Sequence, residues 1–214
     1  MFSKYNKKIL LSILIPVYNE EKTIKKILKK VNSIKISKEI IVINDGSIDN
    51  SLKILKKNKD LFNHIISYKR NRGKGFACKQ GILIAKGEYT IIQDADLEYN
   101  PKNYISLLKE INRHYQVIYG SRVLKGGKII TPLGIRPYLS KFANLILTKI
   151  SNLLNNQNLT DAHTCYKLFR TEIIQKIDLK ENGFAFCPEV TAKISKLGFE
   201  IKEVPIDYNG RGYS

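Results

Sequence analysis

No apolar stretch in this sequence is long enough to cross a bilayer. The longest, Ile9 to Val17, is interrupted by Ser12 and Pro16, whereas a spanning helix needs about 20 consecutive apolar residues. The N-terminus carries lysines but neither the apolar core nor the small-residue cleavage site of a secretory signal, so export is not expected. Cysteine is scarce too. Cys78, Cys165 and Cys187 are odd in number, widely separated and without metal-ligand spacing. That pattern suits reduced cysteines acting as small apolar residues in a cytoplasmic protein. Proline is sparse, and no low-complexity run, internal repeat or linker divides the chain. A single soluble domain over residues 1–214 is expected, with 43% hydrophobic residues to build its core.

Acidic residues are few beside basic ones: 19 Asp and Glu against 37 Lys and Arg, a net charge of +18. Such a surplus invites a nucleic-acid reading. Lysine supplies nearly all of it, however, alongside abundant Ile and Asn, with no basic stripe interleaved with aromatics and no zinc finger. No nucleic-acid partner is expected. The charge better suits anionic lipid surfaces and phosphorylated substrates.

What is present is a regular alternation. Leu10 to Val17 reads as a buried strand, followed by a helix with Ile24, Ile27, Leu28 and Val31 on one face and lysines on the other. Glu39 to Asn44 is a second strand, and Asp45-Gly46-Ser47 turns the chain into a short helix through Leu52 and Leu55. Ile65 to Tyr68 is a third strand, ahead of the glycine-rich Asn71-Arg72-Gly73-Lys74-Gly75. The next helix should bury Ala77, Ile84 and Ala85 and end at Gly87. Tyr89 to Gln93 is a fourth strand, and after Asn100-Pro101 a helix carries Tyr104, Leu107, Leu108 and Ile111. This order predicts an α/β fold with a mostly parallel sheet. Ligands then collect beyond the carboxyl ends of the strands, at Asn19-Glu20, Asp45-Gly46, Gly73 to Gly75 and Asp94 to Asp96.

Asp94 and Asp96, two residues apart at a strand end, are expected to project to one face with Ala95 pointing away. Alone, an Asp-x-Asp is usually a turn or capping pair. After an apolar strand in this alternation, it reads instead as a site for Mg²⁺ or Mn²⁺ bridging to phosphate oxygens. Gly73-Lys74-Gly75 offers a close backbone approach to phosphate. It is not a phosphate loop, because no Ser or Thr follows Lys74, and not a dinucleotide fingerprint, whose third glycine would fall at Cys78.

Four segments in order, Ile15-Pro16-Val17-Tyr18-Asn19-Glu20, Asn44-Asp45-Gly46-Ser47-Ile48-Asp49, Asn71 to Gly75 and Asp94-Ala95-Asp96-Leu97-Glu98, resemble the motifs of family 2 glycosyltransferases. The subgroup resembled is the dolichyl- or polyprenyl-phosphate mannose synthases. The likeness continues through Gly120-Ser121-Arg122, Thr160-Asp161 to Lys167, Pro188-Glu189-Val190-Thr191, Glu203-Val204-Pro205 and Tyr208-Asn209-Gly210-Arg211. It implies a GT-A fold, helices on both faces of a Rossmann-like sheet, and inversion at the anomeric carbon. It also implies that residues 1–120 bind the nucleotide sugar and 121–214 form the acceptor side.

By the same resemblance, Pro16, Tyr18, Glu20 and Asp45 meet the nucleoside, and Lys74, Asp94, Ala95 and Asp96 complete the nucleotide-sugar site. The metal would lie on Asp94, Asp96 and Glu98, and Arg122 and Arg211, each beside glycines, would be exposed phosphate contacts. Asp161 and Lys167 would border the acceptor. Asn44 replaces a usual Asp, Glu98 a frequent Gln, and His163 a frequent acid. Relatives continue past Ser214 into a Gly-Lys-Lys segment and often a membrane anchor, so a truncated C-terminus is expected.

The reaction implied moves a hexose from a nucleoside-diphosphate sugar to a polyprenyl phosphate. A phosphate acceptor is largely ionised near neutrality and needs no strong base. A hydroxyl acceptor on an envelope glycan or glycolipid would need one, and Asp161 is then the candidate. A non-catalytic nucleotide-sugar binder is the remaining alternative. Leu139 to Leu154 reads as an apolar helix with Lys141 and Lys149. It is either a core helix across the domain or one lying in the membrane interface and guiding a polyprenyl tail. Reversible association with the cytoplasmic face of an anionic membrane is expected.

Overall fold

In the computed structural model, residues 8–131 and 135–210 are described. Seven strands form one sheet: β1 (Leu11–Val17), β2 (Lys38–Asp45), β3 (His64–Tyr68), β4 (Tyr89–Ile92), β5 (Val117–Ser121), β7 (Lys167–Arg170) and β8 (Ile201–Pro205). The strand order is β3-β2-β1-β4-β7-β5-β8. All neighbours are parallel except β7, which runs antiparallel to both β4 and β5. Through β7, the second half of the chain enters the middle of the sheet. A small second sheet pairs β6 (Ile129–Ile130) with β9 (Tyr208–Asn209).

The period-two alternation of β1 builds both cores. Leu11, Ile13, Ile15 and Val17 face α1 (Ile24–Ser33), α2 (Ser51–Lys57) and α4 (Tyr104–Lys109), whose Ile27, Leu28, Leu55 and Leu107 are sealed there. Leu14 points the other way, with Ile41 and Ile43 of β2, toward α3 (Lys74–Ile84), α6 (Thr171–Lys176) and α7 (Phe186–Lys196). A sheet buried on both faces needs such near-continuous apolar strands. The result is one α/β domain, as the alternation of elements predicts.

Two expectations fail locally. α3 ends at Ile84, and Ile82 rather than Ile84 turns inward. Gly87 does not cap it; it lies against β1, where a Cβ would come within 2.5 Å of the Ser12 backbone nitrogen. The second concerns α5 (Ile135–Asn155), which is no core helix. Phe142, Ile146, Ile150 and Leu154 are exposed, Leu153 to 85%, while Thr148 and Ser151 are the buried ones among its described side chains. The core reading is overturned because the small polar stripe packs inward, α5 resting on α7, and the apolar face is left outside.

Gly87→Ala should lower unfolding free energy by about 1–3 kcal/mol, since overpacking meets backbone here and not a flexible side chain. A urea titration would read this as a lower midpoint at unchanged slope. An unchanged midpoint would contradict the close approach.

Candidate active site

The loops that follow β1, β2 and β4 meet at the carboxyl edge of the sheet. Asn19, in the left-handed region at φ 56°, starts the first turn. Its Oδ1 accepts from the Ile48 N–H at 2.9 Å, and the Ser47 Oγ accepts from its own N–H at 3.1 Å. The N–H groups of Glu20 and Glu21 donate to Ser51 Oγ and Asp49 Oδ2 at 2.8 and 3.0 Å. The two loops are thereby laced together, with Tyr18 half exposed at the rim and Pro16 partly exposed just below it. Glu20 accepts from Thr23 Oγ1 at 2.5 Å at the entry to α1.

Asp45 sits buried at the end of β2. Its carboxylate accepts from the N–H of Arg72 at 3.0 and 3.1 Å and from that of Gly73 at 2.8 Å. A charged acceptor on two amides makes strong bonds, so Asp45 shapes the glycine-rich turn. Gly73 has φ 103°, and a Cβ there would strike the Asn182 carbonyl oxygen at 2.4 Å. Only glycine satisfies both constraints. Asn44 next door donates to Ser67 Oγ at 2.9 Å, and its own Oδ1 is buried without a partner.

From that turn Lys74 reaches Asp94, Nζ to Oδ1 at 2.5 Å, with both side chains largely buried. Burial alone would raise the Asp94 pKa. The Lys74 charge, a hydrogen bond from Cys165 and the more distant Arg122 charge outweigh it and hold the carboxyl below its usual range. β4 has already ended at Ile92, so Asp94-Ala95-Asp96 is a turn and strand alternation does not set its directions. Ala95 is buried, and Asp96 Oδ1 accepts from the Glu98 N–H at 3.1 Å. Gln93 anchors the turn: Oε1 accepts from Tyr104 and Tyr166 hydroxyls at 2.5 Å each, and Nε2 donates to the Asp94 carbonyl at 3.0 Å.

The expected trio of metal ligands is not assembled. Among the described residues no three His, Cys, Asp or Glu side chains are grouped to hold an ion. Glu98 instead accepts from the Tyr208 hydroxyl at 2.8 Å. Asp94 and Asp96 still fit a cation of the Mg²⁺ class, which is held by one or two carboxylates plus substrate phosphates and seldom by an all-protein cage.

Arg122, at the end of β5, is not the exposed arginine that its glycine neighbour suggests. Its Nε and Nη2 donate to the Asp161 Oδ2 and Oδ1 at 2.7 and 2.8 Å, and its backbone N–H to Oδ2 at 3.0 Å. Glu203 in turn accepts from the Asp161 N–H at 2.9 Å and from the N–H and hydroxyl of Thr160 at 2.6 and 2.9 Å. The Arg122 guanidinium also lies 5.3 Å from the centre of the Tyr208 ring. Burial would raise the Asp161 pKa, but the bonds and charge of Arg122 outweigh it and lower it. Asp161, 2% exposed with both oxygens engaged, is therefore a poor general base, against the expectation for a hydroxyl acceptor.

Lys167 is fully buried, its Nζ donating to the Ala162 carbonyl at 2.8 Å and lying 3.6 Å from the Tyr119 ring centre. Burial lowers its pKa to about 8. His163 is half-buried, and burial and then the Lys167 charge lower its pKa. Arg211 lies outside the described residues. Gln93 and Glu203 had no assigned role in the sequence reading, where Glu203 entered only as part of the Glu203-Val204-Pro205 motif.

Comparison with known proteins identifies the family and the fold. The family model described as Glycosyl transferase family 2 matches residues 12–178. An uncharacterized protein of Methanocaldococcus jannaschii is 31% identical over 201 residues, 91% of this chain and 79% of that one. A dolichyl-phosphate beta-glucosyltransferase of Trichomonas vaginalis is 28% identical over 94% of this chain, which spans 66% of its length. Glucosyl-3-phosphoglycerate synthase from Mycobacterium tuberculosis, solved with Mn²⁺, uridine diphosphate and glucosyl-3-phosphoglycerate, superposes at a TM-score of 0.70. With 15% identity over 96% of this chain and 72% of that one, this match shows the GT-A fold.

Asp161→Asn should cost about 3–5 kcal/mol at pH 7, because it leaves the buried Arg122 charge without a counter-ion. A depressed carboxyl pKa stabilises the fold above its unfolded value and ceases to as pH falls through the folded one. The gap between wild type and variant should therefore narrow below about pH 4. Urea titrations across that range test this; a constant gap would deny the ion pair its role.

Proposed function

The chain belongs to glycosyl transferase family 2, and we propose that it transfers a hexose from a nucleoside-diphosphate sugar to a polyprenyl phosphate, with inversion at the anomeric carbon. The observation that carries this reading is the convergence at one sheet edge of the Asp94-Ala95-Asp96 turn, the Lys74 ammonium and the clamped Arg122. A carboxylate turn flanked by two buried cations suits a metal-bound diphosphate on one side and a second phosphate on the other.

Asp94 and Asp96 would hold Mg²⁺ or Mn²⁺, and Glu98 would border it through Tyr208. Such an ion neutralises the charge that develops on a departing nucleoside diphosphate. The laced loops carrying Pro16, Tyr18, Glu20 and Asp45 would orient the nucleoside, Asp45 through the turn it shapes. Lys74 is the cation nearest to Asp94, and its charge would turn to the diphosphate once the donor binds. Arg122, immobilised by Asp161 and Glu203, would place a fixed charge for the acceptor phosphate beside Lys167, and Arg211 would join it. Alignment and fixed charge then lower the barrier, with no residue asked to remove a proton.

The locked Asp161 favours a phosphate acceptor over a hydroxyl. The name of the Trichomonas relative, a dolichyl-phosphate transferase, supports the same class, and the Mn²⁺ and uridine diphosphate in the Mycobacterium structure support the donor side. No helix among the described residues is long and apolar enough to cross a membrane. The exposed face of α5, with Lys141 and Lys149 beside Phe142, Ile146 and Ile150, would rest in the interface of an anionic membrane where a polyprenyl phosphate is presented.

Asp96→Asn should abolish Mn²⁺-dependent binding of nucleoside diphosphate while the chain stays folded, and Asp94→Asn should abolish it with a lower melting temperature, because Lys74 loses its counter-ion. Calorimetry finding unchanged affinity would sink the assignment. Arg122→Ala should remove turnover of a radiolabelled donor and also lower the melting temperature, because Asp161 loses its partner; wild-type rates would leave Arg122 structural only. Sedimentation with vesicles tests α5: the chain should pellet with anionic lipid at low salt, and Phe142→Ser with Leu153→Ser should release it. If the wild-type chain stays in the supernatant, the membrane reading is wrong.

A further inference from the structure

The turn that delivers Lys74 is held on its inner side through the backbone. Asp45 takes the N–H groups of Arg72 and Gly73. A Cβ on Gly46 would meet the Arg70 carbonyl carbon at 2.4 Å and the Asn71 nitrogen at 2.5 Å, so the chain entering the turn lies directly on the Asp45-Gly46 loop. From α7's side the Asn182 carbonyl accepts from the Phe76 N–H at 3.0 Å.

The outer side of the turn carries a stack of side chains. The Arg72 guanidinium carbon lies 5.4 Å from the centre of the Tyr68 ring and 4.9 Å from that of Phe76. The two rings meet edge to face, with centres 5.0 Å apart and planes at 71°. The Tyr68 hydroxyl donates to Gln80 Oε1 at 2.9 Å. Tyr68 is the last residue of β3, Phe76 stands in the first turn of α3, and Gln80 lies one turn further on. The stack thus ties the turn to the strand before it and to the helix after it. Both rings are half-buried while Arg72 is exposed. A guanidinium is attracted to aromatic faces, and its stem shields them from water while the charge stays at the surface.

Such a clamp has work to do at this turn. Gly73, at φ 103°, gives up more conformational freedom than any other residue type when it is fixed. In the free chain Lys74 reaches Asp94, and that contact is the one that changes if the ammonium turns to a diphosphate. A turn held from both sides keeps its place while the ammonium moves.

We propose that Arg72 is a positioning residue for the donor diphosphate: stacked on Tyr68 and Phe76, it fixes the outer side of the turn so that Lys74 is presented without the turn first having to order. The effect on the donor rests on the function proposed above, whereas the ordering of the turn does not. Arg72 acts through the turn and touches neither the diphosphate nor the metal. Order that is already present before the donor arrives lowers the cost of binding.

The full chain would be compared with Arg72→Ala, Arg72→Met, which keeps an apolar stem without the charge, and Arg72→Lys, which keeps a cation for the rings. Calorimetry with uridine or guanosine diphosphate and Mn²⁺ should find affinity about fivefold weaker in the Ala and Met variants, the size of one or two exposed cation–π contacts. The Lys variant should stay within about twofold of the wild type. Melting temperatures should barely change, as for a surface substitution. In a Phe76→Leu background Arg72→Ala should add little further loss, because the two share one contact; Tyr68→Leu serves if that variant does not fold. Hydrogen exchange of the donor-free chain, read by mass spectrometry, should be faster in Arg72→Ala only in the peptide carrying residues 69–76. Unchanged exchange there would overturn the ordering of the turn. Faster exchange with unchanged affinity would overturn its effect on the donor. Additive losses in the double variant, or no rescue by lysine, would overturn the stack as the cause. A wild-type chain that binds neither nucleotide would count against the proposed function, and exchange alone would then decide whether Arg72 orders the turn.

Discussion

The buried ion pair between Lys74 and Asp94 is the contact on which the rest of the site depends. Removing two charges from water costs several kcal/mol each, and mutual attraction offsets this only when geometry and hydrogen bonds are good. Here the supporting bonds come from three directions. Asp45 shapes the turn that delivers Lys74, Gln93 anchors the turn that delivers Asp94, and Cys165 takes another of the ammonium's protons. Each support comes from a different crossover of the sheet. The pair therefore forms only when β1 to β4 and the inserted β7 are all in register, which ties the site to the completed fold.

A second carboxylate and cation repeat the arrangement on the other side of β7. Asp161 and Arg122 form a two-pronged pair, and Glu203 holds the Asp161 backbone in place. Arg122 lies close enough to Asp94 to help lower its pKa, so the two pairs share one electrostatic field. β7, antiparallel between β4 and β5, joins them. In the proposed reaction that field has a direct use: charge shifts from the acceptor phosphate toward the leaving diphosphate, and fixed cations near both ends need not reorganise as it does.

Much of this was legible in the sequence. The β1 and α1 patterns placed Ile13, Ile15, Ile27 and Leu28 in the core, and the strand ends pointed to the loops that meet. What was not legible follows from physics that spacing does not encode. Strand alternation failed at Asp94 and Asp96 because β4 ends at Ile92, one residue earlier than expected, the chain turning where Gln93 finds its tyrosines. Arg122 looked exposed because its partner Asp161 is remote in sequence. For α5 the period showed an apolar face but not what covers it; here Thr148 and Ser151 are buried, Thr148 Oγ1 accepting from the Ala162 N–H at 3.3 Å, and the helix rests on α7.

The large net charge also acquires a location. Lys25, Lys26, Lys29 and Lys30 are exposed on α1, which packs on the same side of the sheet as α2 and α4. α5 rests on α7, which packs on the opposite side with α3. A membrane met by α5 would thus be a sheet's thickness and two helix layers away from the α1 lysines. Exposed charges are screened beyond about 8 Å at physiological ionic strength, so those lysines can steer the chain toward an anionic surface but hardly hold it there. Retention would fall to Lys141 and Lys149 with the apolar residues between them. Part of the lysine surplus that looks like a membrane signal in the composition is, once folded, a solvated face of α1 turned away from the surface that α5 would meet.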